Sequence, residues 1–413
     1  MTNIRQVDVA VIGGGPAGMA AAAAARDAGA GSVVLIERDS ELGGVLNQCI
    51  HDGFGTKIFK EALTGPEYAA IYAERVREGG IELLMETTVL ELTEERILTV
   101  LSENGMESIE AGAVVLAMGC RERPRGAIGI PGSRPAGVYT AGAVQNYMNL
   151  RNLAVGRKVM ILGSGDIGLI MARRLTLEGA EVVGVAEILP YPSGLARNVV
   201  QCLEDFNIPL HLNTTVSEIH GTERVEGVTL AKISGMDAIP GTEWHVDCDT
   251  LMLSVGLIPE NELSRQAGVE IDPVTAGPIV DDAFQTHSPG VFACGNVLQV
   301  HDIVDYATME AEIAGTSAAA YIAEGTLPDA DIKITAGDGL RYVLPSQVSG
   351  LDAVNFTMRV TKPDQDRAIV FSSGGKVIRK LKQQALSPAS MARVRLGKAR
   401  FSNTREIHVE VAD

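Results

Sequence analysis

Gly13, Gly15 and Gly18 follow an apolar run in VDVAVIGGGPAGMAAAAAARDAGAGSVVLIER. Gly163, Gly165 and Gly168 do the same in RKVMILGSGDIGLIMARRLTLEGAEVVGVAE. Each triplet opens a helix-like run, and an acid stands 24 residues after each first glycine: Glu37 and Glu187. The first glycine of such a triplet allows a tight strand-to-helix turn. The second has no side chain to keep a pyrophosphate from the backbone, and the third lets helix pack against strand. The helix N-terminus presents unpaired N–H groups and a partial positive charge to the phosphates. The acid accepts hydrogen bonds from an adenosine ribose. Two such cradles predict two dinucleotides on one chain, and so redox chemistry between them. Pro16, Ala17, Asp166 and Ile167 lie between the glycines and count with the cofactor-binding residues, as does Arg38 after Glu37.

These motifs need elements to hold them. Residues 7–36 read as strand, helix and strand, and a second such unit begins near Arg157. A helix is expected at 65–78. The segments ETTVLELT and RILTVLSE alternate like a strand meander, and TTVSEIHG and VEGVTLAKI echo them in the second half. Buried strands AGAVVLAMG and DTLMLSVG end at Gly119 and Gly256. Residues 286–325 read as strand, glycine turn, loop and a helix from about Asp305. Beyond Leu327 short alternating runs predict a small β-rich domain. The expected fold is α/β, with two Rossmann-like dinucleotide-binding domains and that C-terminal addition.

Composition sets the outer bounds. Hydrophobic residues make up 46% of the 413, and no apolar stretch reaches membrane-span length. The N-terminal segment enters its first strand without a signal-peptide layout, so a cytoplasmic location is expected. The net charge of −17 argues against nucleic acid. Residues 331–413 carry 14 Lys and Arg against 8 Asp and Glu, a net of +6, which leaves −23 for the rest. That break marks a separate unit with either a solvated basic face or a docking surface for an acidic partner or neighbouring subunit. The five cysteines, Cys49, Cys120, Cys202, Cys248 and Cys294, include no C-x-x-C pair and match no zinc or iron–sulfur spacing. Reduced cytosolic thiols fit that pattern.

VIGGGPAG, ELGG, VVLAMG, ILGSGDIG, LMLSVGLIPE and VFACGN occur in the order found in the two-dinucleotide flavoproteins, the pyridine nucleotide-disulfide oxidoreductase superfamily, which this chain resembles over 1–325. The resemblance implies FAD in the first cradle and NAD(P)H in the second. It implies an FAD domain of 1–120 and 259–326, an inserted NAD domain of 121–258 and the β-rich domain at 327–413. It assigns Gly13, Gly15, Gly18, Glu37, Gly43, Gly44, Gly295 and Asn296 to FAD. Relatives usually carry Asp where Asn296 stands, and an amide there is expected to accept a ribityl hydroxyl. Gly163, Gly165, Gly168 and Glu187 fall to the nicotinamide cofactor. Glu187, without Lys or Arg in VGVAEILPY, favours NAD over NADP.

The disulfide reductases of that superfamily carry two thiols after the paired glycines. Here the stretch is GGVLNQCIHDGFG, with Leu46 and His51 at the thiol positions and Cys49 between them. Gly55 and Ile170 stand where those enzymes have an ion pair, and Asp166 replaces their aromatic gate. A dithiol relay is therefore not expected. A closer resemblance is to the flavin subunits of opine oxidase, hydrogen cyanide synthase and dye-linked proline dehydrogenase, and to the flavoprotein accompanying glycerol-3-phosphate dehydrogenase-like proteins. It implies electron exchange with a partner dehydrogenase or iron–sulfur protein in a homo- or hetero-oligomer. A self-contained NADH oxidase or peroxidase and a redox-sensing binding protein are the other readings. Three catalytic candidates remain. Cys49 is either a redox thiol cycling through sulfenic acid or a packed one. His51 is either a proton-transfer group or a structural one. His301 is a polar group expected to face the flavin. Asp302 or Asp305 reads as the N-cap of the following helix rather than as a catalytic group. Arg121 and Arg123 read as solvent-facing or ion-paired.

Overall fold

Val9, Ala10 and Val11 are inaccessible to solvent. A strand needs that on both faces when it lies inside a parallel sheet covered by helices. In the computed structural model, which describes residues 4–235, 237–402 and 404–413, the strand Arg5–Ile12 pairs in parallel with Val33–Ile36 on one side and Gly105–Leu116 on the other. Glu82–Leu84 lies outside Val33–Ile36. The long strand Gly105–Leu116 pairs with three strands of the same seven-stranded sheet. Its first half pairs antiparallel with Ile97–Ser102, and its last residues pair in parallel with Val291–Ala293.

The chain divides into one unit of residues 1–120 and 259–413 and a second of 121–258. In the first, the helix Pro16–Asp27 buries every residue from Ala17 to Ala25. Small side chains allow this, because the helix is covered both by the sheet and by the helix Val304–Glu324. A Cβ added to Gly315 would stand 2.1 Å from the Ala21 carbonyl oxygen. The two backbones therefore meet at a distance only glycine permits, and they gain dispersion contacts along the crossing.

The second unit repeats the order of four of these strands, Glu82–Leu84, Val33–Ile36, Arg5–Ile12 and Gly105–Leu116. Leu210–His211, Glu181–Ala186, Lys158–Leu162, Thr250–Leu253 and Val138–Thr140 form one parallel sheet. Thr214–His220, Gly227–Ser234 and Trp244–Asp247 form an antiparallel sheet between the same two stages of the chain as the first unit's meander.

The C-terminal residues form two sheets, one of five strands and one of three. Their side chains share a core around Phe356 and Phe371, whose ring centroids are 5.4 Å apart. This β-rich segment has its own core but groups with the first unit. Among the described residues no helix is long and apolar enough to cross a membrane.

A tight turn precedes the strand Val291–Ala293. The Asp281 carboxylate accepts from the amides of Ala283 and Gln285, each at 2.9 Å. Burial nevertheless pushes its carboxyl from 3.8 up to about 6. The unfolded chain therefore gives up this proton first as pH rises. The stability linked to it is complete below the ordinary carboxyl pKa and is lost as pH climbs to about 6. Asp281→Asn keeps an acceptor for both amides without the charge. It is expected to stabilise the protein above pH 6 by on the order of 2 kcal/mol. The gain should shrink toward pH 4 in urea denaturation at the two pH values.

Candidate functional site

The strand Arg5–Ile12 ends in Gly13, whose φ of +106° turns the chain into the helix that begins at Pro16. A Cβ on Gly13 would lie 2.5 Å from the Ala117 carbonyl, and one on Gly18 would lie 1.7 Å from the Gly13 carbonyl. Gly15 differs, since a Cβ there would meet nothing within 4 Å. The first and third glycines are thus required by packing and the middle one faces open space. Glu37, 7% exposed, follows the strand Val33–Ile36. Its carboxylate accepts from the Gly14 amide at 2.6 Å and the Asp39 amide at 2.9 Å. Arg38 is exposed. A cavity of about 390 Å³ opens close by, lined in part by Ser40, Leu42, Asn47 and Met85.

The second unit builds the same bonds. Gly13 N–H donates to the Ile36 carbonyl at 2.8 Å, and Gly163 N–H to the Ala186 carbonyl at 2.7 Å. The Ser164 amide donates to Glu187 at 2.9 Å, as the Gly14 amide does to Glu37. The carboxylate of Glu187, 3% exposed, also takes the Ser164 hydroxyl, the Ser193 hydroxyl at 2.8 Å and the Leu189 amide at 3.0 Å. Gly163 lies at φ +95°, and Gly168 packs against Ser254. Gly119 and Gly256, at φ +71° and +97°, end corresponding strands. Asp166 stands at the first turn of the helix Asp166–Leu177, beside the partly buried Ile167. Its carboxylate accepts from the Leu195 amide at 2.8 Å and the Asn198 side chain at 2.6 Å. It braces the 193–198 segment, a role its place between the glycines did not suggest.

Back in the first unit, Gly43 N–H donates to the Gly14 carbonyl at 2.9 Å, which lays the 43–48 turn against the cradle. Gly44 has φ +54°, and a Cβ there would stand 3.2 Å from Gly15 Cα. Cys49 closes that turn with its thiol on the Val45 carbonyl at 3.3 Å. Burial pushes the thiol up to about 12. A redox thiol needs the thiolate, so this environment opposes the reactive reading of Cys49. The five cysteines are present as thiols. His51 is half-buried, with Nδ1 3.1 Å from the Asp52 carbonyl and its ring 5.0 Å from Phe54.

The turn after Ala293 carries a connected polar network. Gly295, at φ +74°, donates its N–H to the Glu310 carboxylate at 2.7 Å. The second Glu310 oxygen faces Gln299 Nε2 at 2.8 Å and His301 Nε2 at 3.3 Å. Asn296 Oδ1 accepts from the His301 amide at 3.0 Å and faces His301 Nδ1 at 3.2 Å, while Asn296 Nδ2 reaches Cys120 at 3.6 Å. Two expectations change here. The Asn296 oxygen is engaged by His301, which leaves the backbone of this turn rather than the amide to meet a ligand. The His301 side chain is 3% exposed with both nitrogens engaged, so it supports the turn instead of facing an open site.

Neither Asp302 nor Asp305 is the N-cap, since that position is Ile303. Asp302 accepts from the Met391 amide at 3.0 Å. Asp305, fully buried in the first turn of the helix, accepts from the amides of Gly55, Lys57 and Ile58 at 3.1, 2.9 and 2.8 Å. The loop 55–58 is thus tied to the helix beneath the turn. Arg121 and Arg123 are exposed. Glu310, Gln299, Thr357 and Arg359 were not foreseen. The one sequence signal for Glu310 is an acid set among Ala, Met and Ile in an otherwise largely apolar helix.

A family model described as pyridine nucleotide-disulphide oxidoreductase matches residues 7–318. Human apoptosis-inducing factor 3 is 27% identical over 299 residues, which is 70% of this chain and 45% of that protein. One subunit of the opine oxidase of Agrobacterium tumefaciens is 25% identical over 312 residues, 70% of this chain and 61% of its own length. The match thus spans less than two thirds of these relatives. The crystal structure of T. acidophilum thioredoxin reductase shares the fold, with a TM-score of 0.64 and 22% identity over 76% of this chain and 98% of that one. With two matched glycine cradles and three quarters of its length inside the family model, the chain belongs to the pyridine nucleotide-disulphide oxidoreductase family, whose members are FAD-dependent pyridine-nucleotide oxidoreductases.

Proposed function

We propose that the chain is an NAD-linked flavoprotein oxidoreductase that exchanges electrons with a partner outside itself. FAD would be held by Gly13, Gly15, Gly18, Glu37, Gly43, Gly44 and the Gly295–Asn296 turn, and NAD(H) by Gly163, Gly165, Gly168 and Glu187. Bound there, the two cofactors supply hydride exchange between nicotinamide C4 and flavin N5. The protein's part is to bind, orient and set charge. The observation that carries this reading is the bond-for-bond correspondence of the cradles, with Glu37 on the Gly14 amide and Glu187 on the Ser164 amide.

Glu187 supports NAD over NADP. Its carboxylate is buried among Ser164, Ser193 and Leu189, so a 2′-phosphate brought to it would meet a negative charge held by uncharged donors. An external electron partner is supported by the thiol of Cys49, which burial keeps protonated. It is also supported by the opine oxidase relative, which is one component of a larger enzyme. Reduced thiols also fit a cytoplasmic setting.

Purified protein is expected to carry FAD that NADH bleaches anaerobically, and NADPH more slowly. An unbleached flavin band would remove the hydride-transfer reading. Glu187→Gln should weaken NAD binding about tenfold, the scale of one charge-assisted hydrogen bond, while FAD content stays constant. Glu37→Gln should do the reverse, and identical losses in both variants would refute the assignment of one cofactor to each cradle. Because desolvation pushes the Cys49 thiol up, iodoacetamide should label it far more slowly than a surface thiol at pH 8. Cys49→Ser should leave NADH turnover within about twofold. Rapid labelling with loss of turnover would favour the peroxidase reading instead.

A further inference from the structure

The glycine cradles leave the C-terminal β unit unexplained, yet its buried polar residues converge on the Gly295 turn. We propose that Glu310 and His301 form a buried charge pair that sets the electrostatics of the Gly295–Asn296 turn, and that the C-terminal unit holds this pair through Thr357 and Arg359. The proposal rests on the reading that this turn helps hold FAD. His301, Thr357 and Arg359 are positioning residues in it.

The protons of His301 follow from its neighbours. Asn296 Oδ1 is identified as the oxygen because it accepts the His301 backbone amide at 3.0 Å. The same oxygen faces Nδ1, and the Glu310 carboxylate faces Nε2. An imidazole with a proton on each nitrogen satisfies both acceptors, whereas a neutral ring turns a lone pair toward one of them. Glu310 places its other oxygen on the Gly295 amide, so the pair acts on the turn directly. The side chains of His301 and Glu310 are 3% and 5% exposed, so water screens them little.

The C-terminal residues reach this pair through Gln299. Gln299, 1% exposed, donates to Glu310 at 2.8 Å and to the Thr357 hydroxyl at 2.9 Å. Thr357 lies in the strand Val354–Val360, and Arg359 is two residues on, which puts both on one face of the strand. Arg359 donates to the Val300 carbonyl at 2.8 Å and stands 3.9 Å from the Asp302 carboxylate. Arg393, opposite Thr357 in the neighbouring strand, lies 4.0 Å over the Tyr306 ring. The other ionisable groups around the pair are Asp302, the Cys120 and Cys294 thiols and Tyr342, whose phenol burial holds protonated.

An uncompensated Glu310 carboxylate on the Gly295 amide would disfavour electron density on a flavin held there, and the His301 imidazolium offsets it. His301→Gln keeps a polar side chain that cannot carry the charge. In the full chain loaded with FAD, a dye-equilibrium titration should show the equilibrium constant for flavin reduction about tenfold lower, which is about 30 mV for a two-electron couple. Thr357→Val keeps the shape without the hydroxyl and should move the constant at least threefold in the same direction. An unchanged potential in folded, FAD-loaded His301→Gln overturns the charge pair. An unchanged potential in Thr357→Val overturns the link to the C-terminal unit. Should His301→Gln not retain FAD, Thr357→Val, which alters no charge, decides the matter. Wild-type protein that takes up no FAD overturns the underlying reading and this proposal with it.

Discussion

The architecture depends on how closely a helix can approach the end of a strand. At Gly18 and Gly168 the helix backbone passes so near the first turn that a methyl group would overlap the Gly13 carbonyl or the Ser254 side chain. That approach brings the helix N-terminus over the strand edge and points its free amides at one place. The acids at the next strand ends complete the geometry, because each carboxylate is tied to the amide between the first two glycines. The position of each cradle follows from that contact in both units.

A second constraint is the cost of buried charge. Glu310, Asp302 and Asp305 all lie out of water around the 295–305 segment; Glu310 and Asp305 are each met by several donors, and Asp302 by the Met391 amide with the Arg359 guanidinium 3.9 Å away. A buried carboxylate with donors removed would be destabilising by several kcal/mol. The donors come from three distant stretches, namely the loop 55–58, the 295–301 turn and the C-terminal sheets. The β-rich segment therefore contributes to the polar interior of the first unit as well as having an apolar core of its own.

Much of this was legible from residue order. The helix Gly65–Glu78 and the C-terminal strands stand where periodicity put them, because buried faces repeat at the helical or strand period. The glycine cradles were legible for a related reason, since each glycine answers a local steric demand within 30 residues. The roles of Asp302, Asp305 and His301 were misread because local rules make Asp near a helix start a cap and His near a glycine turn a site group. Their actual partners, Met391, Gly55 and Glu310, are remote in sequence or hidden inside a helix.

The sequence by itself determined the α/β fold, the two matched cradles and the acids that close them, since these rest on short-range sterics and period. Tertiary structure alone decided which polar groups are engaged. It half-buried the Cys49 thiol, which holds it protonated, and spent the Asn296 oxygen on His301. It also joined Thr357 to the Gly295 turn through Gln299 and Glu310. The reason is that desolvation and hydrogen-bond pairing are properties of an assembled interior, which no single stretch of chain contains.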